Sequence, residues 1–202
     1  MVLKRVVAYF IDMILVILVT SLLANISYLN PQAKEYDKVY KEYTEFTKNS
    51  LSNIKEEKDE KIIAEYKAKL EDFSYRMDKN NIYGATISIL MVLAYFVFFQ
   101  KYNGGQTLGK KIMKIKIENN LSLFKYFIRS LILYNLLPNI VRVGLISFVS
   151  KSTYIALNEA CYIFSYVVEI IIIIMVTMRT DNRGLHDLVV GSNVVSSENI
   201  IK

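Results

Sequence analysis

The chain has 202 residues, 53% of them hydrophobic, and a formal net charge of +6. Its apolar residues come in blocks rather than amphipathic stripes, the pattern of a membrane protein forming one compact unit. The lone Cys161 excludes a disulfide framework or thiolate metal cluster, and the basic balance points to anionic headgroups rather than nucleic acid.

The first block opens on Lys4-Arg5 and stays apolar to Ala24, long enough to cross a bilayer core, which takes about 20 residues. It holds one carboxylate, Asp12. Arg5 and Asp12 share a helix face about two turns, or ~10 Å, apart. Arg5 can snorkel to headgroup level, while Asp12 sits about a third of the way into hydrocarbon. An unpartnered carboxylate there costs about 3 kcal/mol. The length of the run, Asp12 within it and the lack of a clean small-x-small site predict a retained span rather than a cleaved signal peptide. This first span is assigned to residues 1–29.

Asn30-Pro31 then breaks the helix. Residues 30–81 are polar, with eleven basic and twelve acidic residues in 34–79. Tyr36, Val39, Tyr43 and Phe46, and later Ile62, Ile63, Tyr66, Leu70, Phe73 and Met77, recur at helical spacing. Between them Asn49-Ser50-Leu51-Ser52-Asn53 reads as a turn, with Asn53 and Glu56 capping the second arm. The result is a helical hairpin above the membrane. It serves either as a solvated connection between spans or as a surface for a ligand or partner.

The second span is assigned to 82–100, with Gly84, Ala85, Thr86 and Ser88 suited to close helix approach. A basic loop follows at 101–122, in which residues 111–117 partly alternate and predict a short strand or interfacial segment. The third span, 123–150, carries Arg129, Asn135, Asn139 and Arg142 and is expected to kink at Pro138. An outer loop and fourth span occupy 151–178, the helix itself starting near Ala160 and containing Glu169. The tail is 179–202. Lysine and arginine crowd the flanks at Lys4-Arg5, the central loop and Arg179 to Arg183, so these face the cytoplasm. The fold class that follows is an all-α membrane protein. It is a four-span transmembrane helical bundle with an extracytoplasmic helical hairpin between spans one and two, multi-pass in the cell membrane, both termini cytoplasmic.

Three pieces in this order resemble the RDD family of bacterial membrane proteins: Arg5-x-x-Ala8-x-x-x-Asp12, Gly105-Gln106-Thr107-Leu108-Gly109-Lys110, and Arg183-Gly184-Leu185-His186-Asp187. The family is named for one arginine and two aspartates, which by resemblance are Arg5, Asp12 and Asp187. The resemblance implies transport of ions or small solutes. The 30–81 hairpin looks like an insertion.

The individual residues allow competing roles. Asp12 either pairs with Arg129, expected at similar depth on the third span, or binds a proton or cation. Glu169 lies ten residues before Arg179, hence ~15 Å below the inner surface. Tyr162, Ser165, Tyr166 and Glu169 share one face, and Asn135, Asn139 and Arg142 form a stripe expected to meet it. Glu169 is then either a protonated interhelical hydrogen-bonding group or part of a solvated pathway, while Arg142 and Glu159 are placed to pair near the outer surface. Gly104-x-x-x-x-Gly109-Lys110 is not a phosphate-binding loop, because Lys111 stands where the hydroxyl residue belongs. Lys110 and Lys111 are instead expected to face lipid phosphate.

His186-Asp187 lacks a second histidine and a nucleophile motif, so no catalytic role is assigned. Arg183, His186 and Asp187 are expected to dock the tail near Arg5. Leu188-Val189-Val190 and Val194-Val195 are expected to form a strand, pairing with 112–117. No enzyme activity, cofactor or metal is expected. Expected contacts are the bilayer with its anionic headgroups, further copies of the chain or other membrane proteins, and no nucleic acid. The leading functional reading is transport using intramembrane carboxylates; the alternative is a structural or scaffolding protein that binds partners through its hairpin and cytoplasmic loops. A wet cavity reaching Asp12 or Glu169 favours the first, and dry, paired acids with an exposed apolar patch on the hairpin favour the second.

Overall fold

The computed structural model describes residues 1–54, 60–118 and 121–197. In chain order these form α1 (Val2–Ala24), α2 (Ala33–Ile54), α3 (Glu60–Asn80), α4 (Ile82–Tyr102), α5 (Leu108–Ile112), β1 (Ile115–Ile117), α6 (Leu123–Leu133), α7 (Leu136–Leu145), α8 (Lys151–Met178), α9 (Leu185–Val190) and β2 (Val194–Ser196). Three of them, α1, α4 and α8, are long and apolar enough to cross a membrane. At ~1.5 Å per residue they measure about 35, 32 and 42 Å, against a hydrocarbon core of about 30 Å.

These helices are apolar on nearly every face, yet little of that surface is covered. In α1 only Ala8, Asp12 and Val16 are buried, an i, i+4, i+8 stripe against the bundle, while Phe10, Ile14, Ile17, Leu18 and Leu22 point outward. A helix greasy all round but packed along one line is built for lipid.

One end of the bundle, here the base, gathers the start of α1, α5, the start of α6, α9 and a two-stranded sheet. β1 and β2 pair antiparallel, with Ile115 opposite Ser196 and Ile117 opposite Val194. Period-two alternation turns Ile115 and Ile117 to one side, where they pack with Ala8, Val97, Leu121, Tyr126, Val190 and Val194. A second cluster, Val16, Val92, Tyr95, Phe96 and Leu136, fills the middle, where the Tyr134 ring stacks 3.7 Å from Phe96. Residues Leu93–Phe99 of α4 take π-helical geometry, which turns the consecutive Tyr95, Phe96 and Val97 inward together.

At the other end α2 and α3 pack as a hairpin. The Phe46 ring lies 5.1 Å from Tyr66 and 5.5 Å from Phe73, and Arg76 pairs with Glu42 at 2.8 Å. Asp72 meets Lys151 at the start of α8, so the hairpin is tied to the bundle.

Several sequence expectations are corrected. The first helix stops at Ala24, since Asn25 caps it and turns follow, and the second continues to Tyr102. Residues 49–53 are not a turn: α2 runs through them to Ile54, because Asn and Ser cost a helix interior only about 0.5 kcal/mol each. Asn53 lies within α2, and Glu56 lies outside the described residues. The third apolar block is two helices broken at Asn135 (φ 51°, left-handed), a conformation asparagine tolerates, and not at Pro138. Pro138 falls in the first turn of α7, where its missing N–H would have had no partner in any case. There is no outer loop from Lys151 to the fourth block, because Ser150 caps α8 by accepting from the Thr153 N–H. Leu188 to Val190 belong to a helix and only 194–196 pair as a strand, with 115–117 rather than the whole of 112–117.

Candidate functional site

Asp12, two turns beyond Arg5, is fully buried and hydrogen-bonded at both oxygens. The Tyr95 hydroxyl donates to Oδ1 at 2.7 Å, the Gly109 N–H to the same oxygen at 2.7 Å, and the Thr107 hydroxyl to Oδ2. The Leu108 N–H in turn donates to the Tyr95 hydroxyl at 2.9 Å. Asp12 thus binds one open N–H group at the head of α5, where a carboxylate is favoured by both hydrogen bonds and the helix dipole. Contact this close needs Gly109, since a Cβ there would sit 2.3 Å from the Ala8 carbonyl and 2.9 Å from the Asp12 carboxyl carbon. Arg129 does not pair with Asp12, because these uncharged donors already satisfy the carboxylate.

Arg129 goes to Asp187. Its Nε and Nη2 both donate to Oδ1, at 3.2 and 3.1 Å, while Arg5 Nη1 donates to Oδ2 at 3.1 Å and Ser192 Oγ to Oδ1 at 3.0 Å. Arg5 Nη1 also bonds the Asn182 carbonyl. One carboxylate thereby fastens the first turn of α1, the middle of α6 and the tail. Burial alone would raise the Asp187 pKa, but Arg129 and Arg5 outweigh it and hold the group below the usual carboxylate range. His186 beside it is buried, with Nε2 3.4 Å from Asp187 Oδ2, and burial together with Arg129 pushes its pKa down to about 3. It is a neutral imidazole at physiological pH.

Lys110 is also buried here, 7% exposed, with no hydrogen-bond partner on Nζ among the described residues. It does not face lipid phosphate, because α5 is pulled in by Asp12 and turns Lys110 toward Arg5, Arg129, Asp12 and Asp187. Burial, then Arg129, holds its pKa well below that of an ordinary lysine. Lys111 is exposed. Arg183 lies on the rim of the base, its N–H donating to Asp181 at 3.1 Å.

The remaining polar residues lie away from the base. Asn135 donates to Glu169, which is exposed on the outward side of α8, and Ser165 bonds back to the Cys161 carbonyl at 2.8 Å. Among the described residues Arg142 pairs with no carboxylate: its Nη1 donates to Asn158 at 3.4 Å, Nη2 to Asn139, and the Tyr162 ring lies 4.7 Å from its guanidinium. Glu159, the expected partner, is exposed.

Beside Arg142, at the hairpin end, a cavity of about 430 Å³ opens between α1, α4, α7 and α8. Its polar wall includes Asp78, Asn81, Asn139, Arg142 and Tyr154, and Thr20 and Ser88 lie across from them. Asp78 Oδ2 accepts from the Tyr154 hydroxyl at 3.0 Å and from Asn158 at 3.4 Å. Burial raises the Asp78 pKa, opposed by Tyr154 and Arg142. Neither Asp12 nor Glu169 lines this space. Among the described residues no group of three or more His, Cys, Asp or Glu side chains could hold a metal ion.

Sequence reasoning missed the donors to Asp12, namely Tyr95, Thr107 and Gly109, although Thr107 and Gly109 sit inside the 105–110 motif. It also missed Ser192, and Asp78 and Asn158 in the outer network, since a hairpin acid with ordinary neighbours carries no local signal. The family model described as the RDD family matches residues 1–191. No curated protein and no solved structure matches the chain.

Two outcomes follow for the base. Asp187→Asn leaves Arg5 and Arg129 buried without their counter-charge and costs about 3–5 kcal/mol, read as a lower melting midpoint in detergent. Replacing all three by apolar residues of similar size recovers most of it. The second outcome concerns pH. The unfolded chain binds a proton at His186 below about pH 6.5 and the folded chain only below about 3, so the unfolded state holds more protons in between. Stability therefore falls as pH drops from 6.5 toward 3. His186 is the single histidine, and His186→Gln flattens the melting curve between pH 7.5 and 5 relative to the wild type.

Proposed function

Because the chain belongs to the RDD family of membrane proteins, we propose that it crosses the cell membrane four times with both termini cytoplasmic and binds a small polar solute or ion for transport. The solute site is the cavity at the hairpin end. In this reading α1, α4 and α8 each cross singly, and α6 with α7 crosses as one broken span, 23 positions from 123 to 145. At ~1.5 Å each these cover about 35 Å. Lys4, Arg5, the lysines of 101–116 and Arg179 lie toward the base, so the positive-inside rule puts the base in the cytoplasm and the hairpin outside. The observation that carries the proposal is the cavity itself, polar on one wall and walled by spanning helices. Broken helices at membrane depth are tolerated where they line such spaces, and α7 begins at the break. Asp12 and Asp187 hold the cytoplasmic end shut in this account, and the cargo meets other residues. The reading is non-catalytic and needs no cofactor.

Glu169 favours self-association as part of the same reading. An exposed carboxylate near the middle of a span costs about 2.5–3.5 kcal/mol, and a second copy packed on α8 would cover it and Asn135 together. Cys161, Ser165 and Glu169 share that face at i, i+4 and i+8.

In proteoliposomes, cavity substitutions Arg142→Gln and Asp78→Asn should abolish uptake of whichever probe moves among protons, sodium and radiolabelled amino acids. Hydrogen bonds to charged groups are worth about 1.5–3 kcal/mol, so each substitution weakens binding roughly ten- to hundredfold. Uptake unchanged by both would refute the site. In native membranes a short bis-maleimide should join Cys161 of two copies, and Glu169→Leu should reduce that product; a monomer in both cases would remove the self-association reading.

A further inference from the structure

The geometry points to a zwitterion as the occupant of the outer cavity: an α-amino acid with a small aliphatic side chain, its carboxylate on Arg142 and its ammonium on Asp78. This rests on the solute-site reading above and narrows it.

The cavity wall carries the guanidinium of Arg142 and the carboxyl group of Asp78, and among the described residues the two form no ion pair with each other. Asn158, behind the wall, joins them by hydrogen bonds. Its amide nitrogen donates to Asp78 Oδ2 and its amide oxygen accepts from Arg142 Nη1, each at 3.4 Å, the long end for a hydrogen bond. The amide thus spans the gap with an acceptor toward the guanidinium and a donor toward the carboxylate. The headgroup of an α-amino acid presents the same polarity over a similar few-bond separation, in fully charged form. Each wall charge also keeps unused capacity: among the described residues Asp78 Oδ1 accepts no hydrogen bond and Arg142 Nε donates none. Arg142 is itself steadied by Asn139 and by the Tyr162 ring, so its guanidinium is held in place rather than free to swing to bulk water.

An ion of one sign would satisfy one wall charge and oppose the other. A zwitterion satisfies both without changing the net charge of a site partly shielded from water, where uncompensated charge is expensive. Deeper in, the lining turns apolar with Ile89, Val92 and Leu136, and Val143 and Ile146 add apolar surface beside Arg142. That surface suits an aliphatic side chain and offers nothing to a charged one. A volume of about 430 Å³ is at the small end of ligand pockets, ample for such a molecule. Phosphatidylethanolamine presents the same pair of charges from a lipid headgroup, and the measurement separates the two sources.

The test is calorimetric titration of the full chain in nanodiscs free of phosphatidylethanolamine, using leucine, valine, acetate, ethylammonium and sodium as probes. Leucine and valine should bind, and acetate and ethylammonium at least about tenfold more weakly, since each satisfies only one charge. Arg142→Gln and Asp78→Asn should each remove amino-acid binding, and Ser88→Leu, which fills the cavity without touching either charge, should do the same with an unchanged melting midpoint. Melting curves of all three variants report whether they are folded. If amino acids fail and only phosphatidylethanolamine in the nanodisc raises the midpoint, through Arg142 and Asp78, the zwitterion site stands and its source is lipid. Binding of sodium alone, lost in the same variants, overturns the zwitterion while leaving the solute-site reading intact. No binding by any probe to a folded chain overturns both.

Discussion

Asp187 between Arg5 and Arg129 is the contact on which the rest of this molecule depends. It joins residues 182 apart in sequence at one end and 58 at the other. Taken alone, each of the three charges would be costly in a buried site, and the arginines are tolerable only because the carboxylate lies between them. The bidentate approach of Arg129 and the added Ser192 hydroxyl supply the hydrogen bonds that a buried ion pair needs to offset its desolvation. Once the tail is fixed there, β2 lies beside β1 and the base cluster around Ile115 closes.

The second acid of the base works by different physics. Among the described residues Asp12 forms no ion pair; it is held by two hydroxyls and one backbone N–H at the start of a five-residue helix. Its site depends on position rather than charge balance, and on the absence of a side chain at Gly109. Together the two carboxylates make the cytoplasmic end of the proposed topology dry and tightly joined. The open space lies at the opposite end, lined by a different acid and a different arginine.

What the sequence disclosed follows from how local each signal is. Long apolar runs announce α1, α4 and α8 by composition alone, and the alternation near Ile115 marked a strand whose partner in the tail lies nearly eighty residues away. The hairpin stripes placed Phe46, Tyr66 and Phe73 together because helical spacing is a local property. The break at Asn135 escaped notice because proline is the louder signal, yet proline is harmless in a first turn. The serine and asparagine run at 49–53 misled because weak helix formers are readily overruled by packing of the arms. Pairing among buried charges was the hardest to read: depth put Arg129 within reach of Asp12, and only the fold shows that neutral donors claim Asp12 while Arg129 goes to Asp187. The π-helical stretch in α4 has no proline or glycine to betray it, and Tyr95 was invisible for that reason.

The central claim is a sealed base and an open outer cavity within one bundle. It is tested most directly by thiol accessibility in intact cells with Cys161 replaced by serine. A cysteine at Ser88, on the cavity wall, should react with a membrane-impermeant maleimide added outside. A cysteine at Ser130, buried beside Arg129 in the base, should resist the same reagent in both right-side-out and inside-out vesicles. Rapid labelling at Ser130 together with protection at Ser88 would contradict the account.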